Sequence, residues 1–152
     1  MKKTPALAIL LLALAAAAAS CGPEAVKPTA DMERLAAVRK VLNDISSDYR
    51  ERRVDALLAR LPADVDKADP ALRPGLKRDL ERHAKGSLDF EIRRVRMTDA
   101  DSSVTLHWTV TLTPSKGAPL ERKGTAVWTI GRPDPPRIAQ MAGDSPFGVS
   151  PP

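Results

Sequence analysis

Apolar residues recur through the first half of the chain at helical spacing. Met32, Leu35, Val38, Leu42, Ile45 and Tyr49 fall three or four positions apart, the stripe of an amphipathic helix. Thr29 or Asp31 supplies a cap ahead of it. Arg50-Glu51-Arg52-Arg53 interrupts the stripe, and Val54, Leu57, Leu58 and Leu61 start a short second one that Pro62 ends. Asp69-Pro70 reads as a cap followed by a first-turn proline. Leu72, Leu76 and Leu80 then carry a third helix toward Gly86, which reads as its stop.

Beyond Gly86 the period changes from helical to alternating. Leu88 to Ile92 and Val104 to Leu112 place apolar side chains at every second position, with a turn over Asp99 to Ser102. Pro114 to Gly117 is a second turn, Gly124 to Ile130 a third strand and Arg137 to Met141 a short fourth. Helices first and an antiparallel sheet second make an α+β fold: three N-terminal helices on a curved sheet of about four strands. The end from Gly143 to Pro152 is rich in Gly and Pro and belongs outside the sheet.

Strand register adds a sharper expectation. A turn centred between Ala100 and Asp101 sets Met97 opposite Val104 and Val95 opposite Leu106. Regular continuation would place Arg93 opposite Trp108 and Glu91 opposite Val110, driving charge onto the apolar face. One extra residue, with Arg93 and Arg94 together opposite His107, brings Ile92 to Trp108, Phe90 to Val110 and Leu88 to Leu112. That is a β-bulge, which also bends the strand. The inner face is then apolar throughout, and Asp89, Glu91 and His107 point away from it.

The N-terminus has a different character. Lys2 and Lys3 precede an uncharged run of 14 Ala, Leu and Ile residues from Ala6 to Ala19. The run is shorter than the roughly 20 residues a membrane-spanning helix needs and matches the core of an export signal. It ends in Ala18-Ala19-Ser20-Cys21-Gly22, which resembles the bacterial lipoprotein signal, the lipobox; Ala18 stands where that signal usually has Leu. The resemblance implies that Cys21 is lipidated and begins the mature chain. Gly22 after the cysteine, by similarity to the sorting rule of enteric bacteria, points to the outer membrane, facing the periplasm, with the inner membrane and the cell surface as alternatives. Residues 1–20 are thus read as signal peptide, 21–30 as tether, 31–147 as one domain and 148–152 as tail.

Charge and composition then exclude several functions. The chain carries 24 Lys and Arg against 19 Asp and Glu, a formal +5; loss of Lys2 and Lys3 with the signal leaves 22 against 19, or +3. A +3 domain with interspersed signs and five aromatic residues is no nucleic-acid binder. One cysteine permits neither an intrachain disulfide nor a thiolate zinc cage. His83, late on the third helix, and His107, on the polar face of its strand, show no metal-ligand spacing, and no cofactor motif occurs. Arg73, Lys77, Arg78, Arg82 and Lys85 form a basic helix face that Arg93, Arg94 and Arg96 extend. Its plain reading is solvated charge, its functional one contact with anionic head groups or cell-wall polymers.

The element order, ending in Trp128-Thr129-Ile130, a Pro-rich turn, Arg137-Ile138 and Gly143-Asp144-Ser145-Pro146-Phe147, resembles the nuclear transport factor 2-like superfamily. This is the cone-shaped fold of SnoaL-like cyclases and ketosteroid isomerases. The resemblance covers Asp31 to Phe147 and rests on pattern. It implies a pocket between helices and sheet, with Tyr49, Phe90, Trp108 and Trp128 as candidate lining. The leading reading is a lipid-anchored envelope protein, held at the membrane by its lipid. Its domain binds a protein partner or an apolar small molecule without catalysis, a second copy of the chain being a further candidate partner. The alternative is a SnoaL-like or ketosteroid isomerase-like pocket enzyme with Tyr49 as hydrogen-bond donor. The sequence assigns no catalytic residue, metal or cofactor.

Overall fold

The computed structural model describes residues 29–132 and 135–150. The signal run, Cys21 and most of the expected tether lie outside the described residues, as do Pro151 and Pro152. Helix α1 spans Ala30–Arg50. The Thr29 hydroxyl accepts from the Met32 amide at 3.3 Å, and Asp31 and Glu33 sit at the positive end of the helix dipole. Val38, Val41, Leu42, Ile45 and Tyr49 are buried, whereas Met32, one turn in, is 62% exposed, so the core starts later than the apolar stripe does. The helix closes in a Schellman motif, with Arg53 N donating to Asp48 O at 2.8 Å and Arg52 N to Tyr49 O at 3.1 Å. Arg52 takes the left-handed position usually given to glycine, at φ 59°. Its guanidinium donates to the Leu80 carbonyl across the helix layer, a contact glycine would lack.

Helix α2 is Val54–Arg60 and helix α4 is Leu72–Arg82, with α3, a single turn over Val65–Ala68, between them. The helices therefore number four among the described residues, not three. Four residues are too few to show a period, so α3 left no signal in the apolar pattern. Pro74 is tolerated in the first turn of α4, where its missing N–H has no intrahelical partner to lose.

Helix α4 ends at Arg82, four residues short of the expected glycine stop. His83 is already extended, and Ala84 N donates to Thr113 O at 2.9 Å, so the sheet ladder claims the chain from there. Lys85 accordingly opens a strand and is not part of the basic helix face. Gly86 serves packing instead: a Cβ there would lie 3.0 Å from the Tyr49 ring and 3.2 Å from Leu112.

The strands are β1 (Lys85–Met97), β2 (Asp101–Thr113), β3 (Leu120–Gly131) and β4 (Ile138–Gly143). They form one open antiparallel sheet in the order β1-β2-β3-β4. The bulge falls where the alternation demands it. Ile92 pairs with Leu106 and Arg94 with Thr105, leaving Arg93 as the extra residue. The partners nevertheless differ from expectation by two residues. Met97 faces Ser102, Val95 faces Val104, Phe90 faces Trp108 and Leu88 faces Val110. The turn is centred one position earlier, because the Thr98 hydroxyl accepts from the amides of Ala100 and Asp101 at 3.3 and 3.1 Å. Asp101 and Ser102 thereby enter β2. Helix α1 crosses β1, and the core lies between the helices and one sheet face: an α+β architecture of four helices and four strands.

Candidate functional site

The inner face of the sheet meets the helices through aromatic rings. Trp128, from the middle of β3, contacts Phe90 of β1 edge-on at a centroid distance of 5.1 Å. Phe147, beyond β4, stacks near Trp128 at 6.5 Å and lies 6.5 Å from Tyr49 of α1. Three of the four expected lining residues, Tyr49, Phe90 and Trp128, are thus joined in one chain of ring contacts, Tyr49 and Trp128 through Phe147 and Phe90 through Trp128. Trp108 is placed differently. It lies across Gly124, where a Cβ would come within 2.3 Å of the indole, and its Nε1 donates to the Asp144 carbonyl at 3.0 Å. Tyr49 and Trp128 are fully buried, so both serve as core packing.

The Tyr49 hydroxyl is buried and has no hydrogen-bond partner among the described residues. Burial, and then the negative charge of Asp79, push its phenol well above the ordinary range, which keeps it neutral. Asp79 is no free base for it. Both carboxylate oxygens accept backbone amides, from Val149 and Ser150, at 2.9 Å each. Asp48, the other buried carboxylate, accepts from Arg60 Nε at 2.6 Å and from Arg53 Nε at 2.9 Å. Burial alone would raise its pKa, but the bonds from Arg60 and Arg53 outweigh that and hold it below the ordinary value.

Neither aspartate was expected to be buried, although the signal was present. Asp48 lies three residues after Ile45 and beside Tyr49; Asp79 lies three after Leu76 and beside Leu80. An acid on an apolar stripe calls for partners elsewhere.

Asp89, Glu91 and His107 are exposed on the far face of the sheet, and Glu91 pairs with Arg93 at 2.6 Å. His83 Nδ1 donates to the Asp79 carbonyl at 2.9 Å, finishing α4. On the basic helix face, Arg73 pairs with Asp66 at 2.9 Å and Lys77 with Glu81 at 3.7 Å, so part of its charge is met locally. No group of three or more His, Cys, Asp or Glu able to hold a metal occurs among the described residues. No helix among them is long and apolar enough to cross a membrane.

A groove of about 640 Å³ lies beside Phe90, between α1 and the free edge of β1. Half-buried Phe90 and Ile92 line it together with Leu42, and Arg39 and Arg50 of α1 and the β1 edge at Asp89 and Glu91 complete its rim. Fold and groove together define an α+β domain with an apolar, acid-free inner sheet face and a mixed-charge groove beside it. No protein-family model matches the chain, and no curated protein matches it either.

Proposed function

We propose that this chain is a lipid-anchored cell-envelope protein. Its domain is a nuclear transport factor 2-like cone that binds a protein partner or an apolar ligand without catalysis. One observation carries the binding reading: the sheet divides its chemistry. Apolar side chains face the helices, while Asp89, Glu91 and His107 face the opposite way. An isomerase needs an acid and a base converging on one cavity. Here Tyr49 is the one inward phenol, and the nearby carboxylate of Asp79 is already engaged by two amides. Binding needs only apolar area and a few orienting charges, which the α1–β1 groove offers. The bulge at Arg93 supports the cone, because bulges bend and twist strands.

Two experiments test the proposal. Cys21→Ser is expected to shift the protein from the membrane to the soluble fraction or to leave it uncleaved. An unmodified mature N-terminus by mass spectrometry overturns the lipid anchor. For the groove, a photo-cross-linking residue at Ser46 is expected to capture a discrete partner in intact cells. Asn43→Trp, which fills the groove from an exposed helix position, is expected to abolish that product. No product, or one indifferent to Asn43→Trp, overturns the groove as the binding surface.

A further inference from the structure

The sheet ends at β1, and no strand pairs with its far side among the described residues. An edge left this way presents unpaired N–H and C=O groups to another chain. At 13 residues β1 is long for an edge strand, and its two halves differ. Beyond Ile92 the bulge and the charges of Arg93, Arg94 and Arg96 obstruct a further strand. From Lys85 to Ile92 the pairing with β2 is regular and no proline interrupts it.

Two openings leave that stretch accessible. Asp89, Phe90, Glu91 and Ile92 line the α1–β1 groove. Ala84, Lys85, Gly86 and Ser87 line a second opening of about 290 Å³, and Arg50 borders both. Successive side chains of a strand point to opposite faces, so four consecutive residues share one opening where it runs along the strand's edge. Leu88, the residue between the two sets, is fully buried.

This stretch is complementary to a reversed copy of itself. With two β1 strands antiparallel and Leu88 opposite Leu88, Lys85 falls opposite Glu91, Gly86 opposite Phe90, Ser87 opposite Asp89 and Ala84 opposite Ile92, each twice. Opposite charges attract across strands, and an aromatic ring covers a facing glycine. Lys85 has no ion-pair partner among the described residues. Glu91 holds Arg93 through Oε1, while its Oε2 has His107 at 3.9 Å, so it can meet a further cation. Neighbouring registers fit worse. A shift by two residues one way sets Asp89 against Asp89 and Lys85 against Arg93, both like-charge pairs. The same shift the other way carries Ile92 opposite Arg82, which still belongs to α4. A one-residue shift sets apolar side chains against charged ones.

We propose that two copies of this chain pair antiparallel along residues 84–92, about Leu88, and join their four-stranded sheets into one. The contact is two-fold and isologous, with both helix layers on the same side of the joined sheet. The inference rests on the reading of the α1–β1 groove as a partner surface and names that partner as a second copy.

Sedimentation equilibrium of the full chain carrying Cys21→Ser, which removes its one cysteine, tests the proposal. A concentration-dependent dimer is expected. Lys85→Glu and Glu91→Lys are each expected to weaken it by about tenfold or more, since each change places like charges opposite one another at two positions. The double variant Lys85→Glu/Glu91→Lys is expected to regain most of the affinity, which a general loss of fold would not allow. Register is read by adding Lys85→Cys to one batch and Glu91→Cys to another. The mixture is expected to form a disulfide-linked dimer on mild oxidation, because facing residues lie within disulfide reach. Neither batch alone is expected to do so, since identical positions lie about 20 Å apart in this register. Monomer at every concentration, no recovery in the double variant, or no disulfide specific to the mixture overturns the proposal. If the cross-linker at Ser46 captures a different protein while the chain stays monomeric, the second copy is overturned and the groove stands as a partner surface.

Discussion

At the scale of single residues, the buried polar atoms separate into two groups. The Tyr49 hydroxyl has lost water and gained no partner among the described residues, so deleting it removes a cost and leaves the ring packing in place. Tyr49→Phe is expected to be neutral or to stabilise the fold by up to about 1 kcal/mol. Tyr49→Ala, which removes the ring, is expected to cost about 3–5 kcal/mol in denaturant unfolding. A loss above about 1 kcal/mol in Tyr49→Phe means that the hydroxyl is bonded. Tyr49 is also the one tyrosine of the chain. Its folded pKa lies above the ordinary 10, so its contribution is complete below that value and is lost as pH rises beyond it. The tyrosinate absorbance band is therefore expected to appear together with unfolding in an alkaline titration, not before it.

Asp48 belongs to the satisfied group, and its sign is opposite. Its folded pKa is depressed below the ordinary 3.8, so the stabilisation is complete above that value and is lost as pH falls toward the depressed one. Asp48→Asn is expected to cost about 1–3 kcal/mol near neutrality, since Arg53 and Arg60 keep access to water when their acceptor is removed. The variant should also show a shallower acid limb than the parent in thermal unfolding between about pH 4 and 2. An equal limb in the two proteins would locate the acid sensitivity elsewhere. That Asp48 is polar on an apolar stripe was legible in the sequence. Which cations meet it was not, because Arg60 comes from the next helix and reaches back across a Schellman turn.

At the scale of elements, the sheet shows which features an alternating pattern can encode. Side chains repeat every two residues along a strand, so a one-residue error flips a face and conflicts with the apolar pattern. Both the bulge at Arg93 and the apolar composition of the inner face were legible for that reason. A two-residue slip leaves every face unchanged, and the pairing of β1 with β2 differs from expectation by that amount. What fixes it is the Thr98 hydroxyl capturing two amides, a local bond with no periodic signature. The short α3 was silent for a related reason, being one turn long. Deletions test the bulge directly. Without Arg93, Ile92 and Arg94 become neighbours and continue the pairing to Leu106 and Thr105 with all faces kept. That deletion is expected to change stability by about 1 kcal/mol or less. Deleting Glu91 forces a choice between exposing Phe90 and turning Ile92 outward, at about 2–5 kcal/mol for each apolar side chain lost from the interior. Thermal unfolding of the two deletions distinguishes them, and equal losses would mean that the bulge does not set the register.

At the scale of the whole molecule, the C-terminal segment closes the fold. Residues 144–150 leave the sheet, as their Gly and Pro content indicated, but they return to the helices. Trp108 donates to the Asp144 carbonyl, and the Thr125 amide donates to the Asp144 carboxylate. Phe147 is buried beside Trp128 and Tyr49, and Asp79 of α4 receives the amides of Val149 and Ser150. Gly148 passes so close to Gly75 that a Cβ on Gly75 would lie 2.7 Å from the Gly148 Cα. None of this was legible, since two glycines, one acid and two main-chain amides carry no pattern until the chain has folded. The contacts are made by one short segment, so they should form and break together. Phe147→Ala alone is expected to cost about 3–5 kcal/mol. Asp79→Asn leaves one amide facing a donor instead of an acceptor and is expected to cost about 1–3 kcal/mol. If either change detaches the segment, the second has little left to remove. The double variant is then expected to fall short of the summed losses by about 1 kcal/mol or more. Denaturant unfolding of the four proteins in that cycle measures the difference. Additive losses would mean that Phe147 and the Asp79 clamp hold the core independently, and that residues 144–150 do not act as one strap.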